Sequence, residues 1–191
     1  MARTKEFDQE QALDAAMQLF WERGYEATSI QELVDATGVQ RQSLYDTFGS
    51  KHEIFLQSLM RYQELEGHQL SELIKRHPKG GLELIRAIFE STASQTVCDA
   101  RGCFGANCAA ELGSSDEAVA ERIRIGRDGA EALLTRCLIQ ASDAHELRNS
   151  ASVSALAQFL VNALFGLHLM AKTRPTKAMI DNVVAVTLAT L

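Results

Sequence analysis

Between positions 40 and 51 the chain places Gln40, Arg41, Gln42, Ser43, Tyr45 and Lys51, side chains suited to base edges or to phosphate oxygens. Leu44 and Phe48, four residues apart, fall on one face of a helix and leave the polar groups on the other. A helix that is polar at its amino-terminal end and anchored by two apolar residues suits the major groove of duplex DNA. Phe48 is read as core. Tyr45 has two readings, core aromatic or phosphate contact, and its phenolic oxygen favours the second. Arg41, on the exposed face, is read as a base contact. Lys51 is either a phosphate contact or an ordinary exposed lysine beside a cap.

Such a helix must be held by others. A capping box opens one near residue 29, with Thr28 and Gln31 or, one residue later, Ser29 and Glu32 as its two members. Ile30, Leu33 and Val34 then give one narrow apolar face, and Gly38 can take the positive φ that ends the helix. Together with residues 40–48 this is a helix-turn-helix. Before it, Leu13, Ala16, Met17 and Phe20 predict a helix over 8–23 that stops at Gly24, with Tyr25 folding back on the last turn. After it, Ser50 and Glu53 form a second box that opens a long helix running to about His77, before Pro78.

The run Ala16 to Lys51 carries Leu19-Phe20, Gly24-Tyr25, Thr28-Ser29-Ile30, Ala36-Thr37-Gly38-Val39, Ser43-Leu44-Tyr45, Phe48 and Ser50-Lys51. In these residues and their spacing it resembles the DNA-binding domain of the TetR family of transcriptional regulators. The resemblance covers residues 1 to about 55 and implies that Thr28, Tyr45 and Lys51 contact phosphates while Arg41 and Gln42 read bases. It also implies repression as the usual sign, a small-molecule effector and a homodimer on a palindromic operator. Gln42 stands where a small residue or proline is frequent in the family, and Asp46 sets an anion close to the expected phosphate path, so operator preference does not carry over.

Charge argues the other way. The net charge is −6, and residues 1–51 hold five basic against nine acidic side chains. Distribution answers this: Glu10, Asp14, Glu22, Glu32 and Asp35 are assigned to outward faces of the first two helices, while Arg3, Lys5, Arg41 and Lys51 bracket the reading helix. Binding should therefore depend on two copies and on particular contacts, among them Ser29 and Gln40.

With 191 residues and two prolines, the chain has room for a head at 1–50 and a helical ligand-binding and dimerisation domain at 51–191. No strand-like alternation appears, so the expected fold is all-α with about nine helices. No secretory-type leader opens the sequence, which gives cytoplasmic as the expected location and reduced cysteines.

Residues 151–171 contain no Asp, Glu, Lys or Arg. Ser154, Gln158 and Asn162 form a polar stripe along them, so the segment reads as a helix buried on several sides and not as a membrane span. A last helix follows Pro175, placed in its first turn. Leu156, Phe159, Leu160, Ala163, Leu167, Ile180, Val183, Val184 and Thr187 are the expected dimer interface, as in the resembled family. A purely intramolecular core is the other reading of the same residues.

The middle of the chain should hold the switch, with helices over 82–97, from about 103, and from a cap at 114–117 through Leu138. Tyr62, Phe89, Cys103, Phe104, Asn107, Phe165 and His168 are candidates to line an effector cavity, each also readable as core. Cys98, Cys103 and Cys108 are five apart, about 140° on one helix, so they do not converge on a metal, and neither metal nor cofactor is expected. Cys103 follows Arg101-Gly102 near a helix start, where dipole and guanidinium would both favour thiolate. Some members of the resembled family with a Gly-Cys at a similar place respond to electrophiles or oxidants. Cys103 is therefore a candidate sensing thiol, against the plain reading of a small buried hydrophobe. An all-helical enzyme would leave the helix-turn-helix idle and shows no acid–base pair. An interaction module gives no reason for polar residues at the front of the third helix. The chain is thus expected to be a regulator and not an enzyme.

Overall fold

The computed structural model describes residues 7–191, so Arg3 and Lys5 lie outside the described residues. Among the described residues the chain is all-helical: α1 (Gln9–Arg23), α2 (Ile30–Thr37), α3 (Arg41–Phe48), α4 (Lys51–Arg76), α5 (Gly81–Cys98), α6 (Phe104–Leu112), α7 (Glu117–Asp143), α8 (Val153–Met170), a 3-10 turn at Ala171–Thr173, and α9 (Lys177–Ala189).

Most boundaries have a side-chain cause. Of the two boxes open at 28–32 the structure takes the second: Glu32 N–H donates to Ser29 Oγ at 3.2 Å, and Ser29 N–H donates to the Glu32 carboxylate at 2.8 Å. Ser50 and Glu53 repeat the arrangement at α4. Gly38, at φ +68°, closes α2 by donating to the Val34 carbonyl. Helix α9 starts later than the sequence implies, because the Thr176 hydroxyl accepts from the Met179 amide and leaves Pro175 outside the helix.

Packing divides the chain into two cores. The first is aromatic and joins α1–α3 to the first half of α4 and to α6. Phe55 meets Phe20 at 5.1 Å and Phe104 at 5.8 Å, both edge-on. The second is mostly aliphatic, built from Leu84, Ile85 and Phe89 of α5, Leu134 and Leu138 of α7, Leu160 and Leu167 of α8, and Ile180 of α9. The first core passes straight through position 50 via Ile54, Phe55, Leu59 and Tyr62. The reading helices therefore share their core with the helix that leads away from them.

The second core corrects the expected dimer surface. Leu156, Leu160, Leu167, Ile180, Val184 and Thr187 are buried inside the chain, Ala163 and Val183 are half-buried, and of the expected residues Phe159 alone is openly exposed, at 43%. The apolar surface left uncovered is instead Phe159 and Leu169 on α8 with Met179 and Val186, the last 68% exposed, on α9. Both sides of these helices are apolar, so spacing marks them as buried helices without saying which side turns inward. The stretch Val153–Thr173, α8 with the turn after it, is long and apolar enough to cross a membrane, with mean hydropathy 1.6. Its buried side nonetheless forms a wall of the second core, against α5 and α7.

Candidate nucleic-acid interface and its link to the sensor

Helix α3 is fastened by Leu44 and Phe48, both buried, and presents Arg41 and Gln42 to solvent with Ser43 and Tyr45 half-exposed beside them. Unlike Ser29 and Ser50, its cap residue Gln40 makes no side-chain bond to the helix, so both the Gln40 amide and the first-turn N–H groups remain available. The Arg41 guanidinium sits 5.4 Å from the Tyr45 ring centre, one turn away. Gln42 Nε2 donates to Asp46 Oδ1 at 2.8 Å. The two residues that depart from the family pattern thus engage each other. Thr28 is corrected: it is 1% exposed and its hydroxyl donates to the Gly24 carbonyl at 2.6 Å, which leaves no side-chain atom for a phosphate.

The acidic head is less hostile than its sum. Glu32 is occupied by its box with Ser29 and by an ion pair with Arg23, and these bonds hold its carboxyl below the usual range. Asp14, assigned outward from the sequence, is half-buried and pairs with Arg61 of α4 at 2.8 Å. Lys51 lies 4.3 Å above the Tyr25 ring, and His52 meets Asp116, the cap residue of α7, at 2.5 Å. Burial works to raise the Asp116 carboxyl, but the Val119 amide and His52 outweigh it and hold it low.

The sensor candidates do not converge on one cavity. Phe89 is sealed in the second core, Phe165 packs against that core from α8, and the His168 ring is enclosed enough to depress its pKa. Tyr62, Cys103, Phe104 and Asn107 gather at the first core, close to the head. A cavity of about 340 Å³ opens there between α1, α6 and the end of α8. Phe104 and Asn107 line it, with Phe20, Trp21, Glu111, Leu169 and Lys172. Asn107 Oδ1 is buried without a hydrogen-bond partner.

Cys103 caps the amino end of α6. Burial pushes its thiol up, while the Tyr62 hydroxyl and the Ala106 and Gly105 amides pull the other way and lose. The expected help from Arg101 is absent from this balance. That guanidinium grips Asp99 at 3.0 and 2.7 Å and Gln18 at 2.7 Å, and lies 3.9 Å above Trp21. Cys98 is exposed at the end of α5, and Cys108 and Cys137 are buried.

Sequence reasoning missed two groups that bind head to sensor. Trp21, the chain's single tryptophan, donates from Nε1 to the Gly102 carbonyl at 3.0 Å. Glu111 accepts from the Tyr25 and Glu26 amides at 3.1 and 2.9 Å. A lone tryptophan in a first helix was a legible signal, whereas a glutamate bonded to a distant backbone left none.

This geometry defines a helix-turn-helix head joined to a helical bundle, the build of a DNA-binding regulator. Residues 12–57 match the family described as bacterial regulatory proteins, tetR family, and residues 81–186 match the tetracyclin repressor-like C-terminal domain. The chain belongs to the TetR family of transcriptional regulators. It is 33% identical over its full length, and the relative's, to an uncharacterized HTH-type transcriptional regulator, YezE, of Bacillus subtilis. It is 30% identical to the HTH-type transcriptional repressor ComR of Escherichia coli, over 89% of this chain and 82% of that one. Among solved structures, a cysteine mutant of the TetR family regulator CifR, complexed with 26-base-pair double-strand operator DNA, is 28% identical with TM-score 0.85 over 98% of each chain. The reduced form of NemR from E. coli is 26% identical with TM-score 0.80 over 93% of each chain.

Proposed function

We propose that the protein is a cytoplasmic, dimeric repressor that sets two copies of α3 into successive major grooves of a palindromic operator. A small effector or modification of Cys103 releases it, and it performs no catalysis of its own. The observation that carries the reading is α3 itself: Arg41 and Gln42 stand in solvent at the end of a helix whose first amides are uncapped, on a base held by Leu44 and Phe48. The contact set is Ser29, Gln40, Arg41, Gln42, Ser43, Tyr45 and Lys51, without the buried Thr28. The naming of ComR as a repressor and the operator complex of CifR support the sign and the ligand.

Dimerisation is supported by Phe159, Met179 and Val186, whose exposed apolar surface a second copy would cover. Gly166 adds to this, since nothing lies within 4 Å of where its Cβ would stand. Two heads about 34–36 Å apart then match two half-sites. Release needs only that effector or adduct prefer the mismatched spacing by about 1–3 kcal/mol.

Anisotropy titration of a labelled duplex from the DNA upstream of the protein's own gene tests this. The expected result is a salt-sensitive complex that random duplex does not compete away and that Tyr45→Ala weakens without loss of helicity. Equal affinity for random duplex would overturn it.

A further inference from the structure

Helix α6 holds the reading head at both of its ends. Near its amino end, the turn before Cys103 takes the Trp21 indole N–H on the Gly102 carbonyl and sends Arg101 back over the indole face to Gln18. Toward its carboxyl end, Glu111 takes the Tyr25 and Glu26 amides. Gly102 has little freedom between these neighbours. It sits at φ +69°, and a Cβ there would stand 2.5 Å from the His168 carbonyl of α8, so α8 blocks one side and Trp21 the other. The Asn107 amide nitrogen donates to the Arg101 carbonyl at 2.8 Å, which ties the turn to α6 as one piece. Beside this fixed turn, the cavity of about 340 Å³ between α1 and α6 supplies the room that a shift of α6 requires.

We propose that Trp21 and Arg101 form a joint through which the amino end of α6 moves the reading head, so that an adduct on Cys103 is felt by α1 within one residue of the sulfur. The inference rests on reading Cys103 as the sensing thiol. The sulfur is enclosed by Tyr62 and the start of α6, and Tyr62 meets the Trp21 ring edge-on at 5.0 Å. The start of α6 at Gly105 also borders the sulfur, and among the neighbours an added group would displace are Tyr62 and the Gly102–Cys103 backbone. Both are in contact with Trp21. The route runs from the sensor turn to α1 either directly, through the Gly102 carbonyl, or across one side chain of α4, Tyr62.

The test uses the full-length dimer in a Cys98→Ser background, which removes the exposed thiol, and 2-iodoacetamide as the probe. The Cys103 sulfur attacks the methylene carbon, a C–S bond forms, the C–I bond breaks, iodide leaves and the thiol proton passes to buffer. Adduct position is read by peptide mass spectrometry, operator affinity by anisotropy, and folding by circular dichroism. The expected result is that alkylation shifts Trp21 emission and weakens operator binding at least tenfold, whereas in Trp21→Phe the same adduct weakens it less than threefold. Arg101→Ala, which keeps the indole, should lose most of the emission shift and serves if Trp21→Phe unfolds. Equal loss of affinity with and without Trp21 and Arg101 overturns the joint and leaves Cys103 as the sensor. Full alkylation of Cys103 with unchanged operator affinity overturns both.

Discussion

Helix α3 buries Leu44 and Phe48 and leaves Arg41, Gln42 and Asp46 in solvent, whereas α8 and α9 bury one apolar face and still expose Phe159, Leu169, Met179 and Val186. Two kinds of recognition are written in these surfaces. A polar face on a short, well-anchored helix is a surface for a charged, hydrated partner, and it costs nothing to leave exposed. An apolar face on a helix already half-buried is unfinished until another apolar surface covers it. On the proposed reading, the first gives contacts that carry specificity, and the second gives the bivalence that raises the affinity of a head whose net charge is acidic.

Breaking the second surface should have the larger effect. Phe159→Glu or Val186→Glu is expected to give a monomer by sedimentation and to lower operator affinity by at least about 100-fold, since the avidity of two linked heads is lost. Operator affinity retained in a monomer would dissolve the contrast. On the reading surface, Arg41→Ala should cost about 1–3 kcal/mol on the operator and much less on random duplex, seen as relaxed preference in a panel of base-substituted sites. Lys51→Ala should weaken all duplexes alike and flatten the log–log salt slope by about 0.9.

Beneath the reading surface, Ser29→Ala removes a cap that the structure prefers over Thr28, and should cost about 1 kcal/mol, read as a drop of roughly 2–4 °C in Tm. The smallest effect is expected from Glu66 of α4, whose carboxyl burial pushes above its usual range. An acid with a raised folded pKa binds its proton more tightly in the folded state, so ionisation costs stability above that pKa and nothing below the ordinary carboxylate range. Glu66→Gln should therefore raise Tm near neutral pH, with the gain vanishing as pH falls through the carboxylate range. A pH-independent gain would point to packing.

The same contrast explains what could be read in advance. The capping residues, Gly38, the pair Leu44 and Phe48, and the all-helical course were legible because each is decided by neighbours within one or two turns. Two boxes in overlapping register satisfied the same rule, and the structure chose Ser29; Thr28, which the resemblance set against a phosphate, is buried with its hydroxyl on the Gly24 carbonyl. Six of the residues expected at the dimer surface lie inside the chain. Periodicity counts apolar faces but does not rank them when a helix has two. The ligand candidates separated for a related reason: Phe89 and Tyr62 are both apolar residues at helical spacing, and only the division into two cores sends one away from the head.

Cys103 shows where local chemistry ends. Sequence adjacency put Arg101 two residues from the thiol, as a cation that would favour thiolate. The fold turned that guanidinium toward Asp99, Gln18 and Trp21, and enclosed the sulfur so that burial decides its pKa. By itself the sequence determined the helices, the neighbourhoods of their caps and the polar front of α3, because hydrogen bonds to nearby amides and a 3.6-residue period act over short range. Tertiary structure alone decided which apolar face stays open, which cap is used, and that α6 grips the reading head at both ends. Those outcomes depend on which distant surfaces exclude water from one another, and a linear pattern holds no record of that.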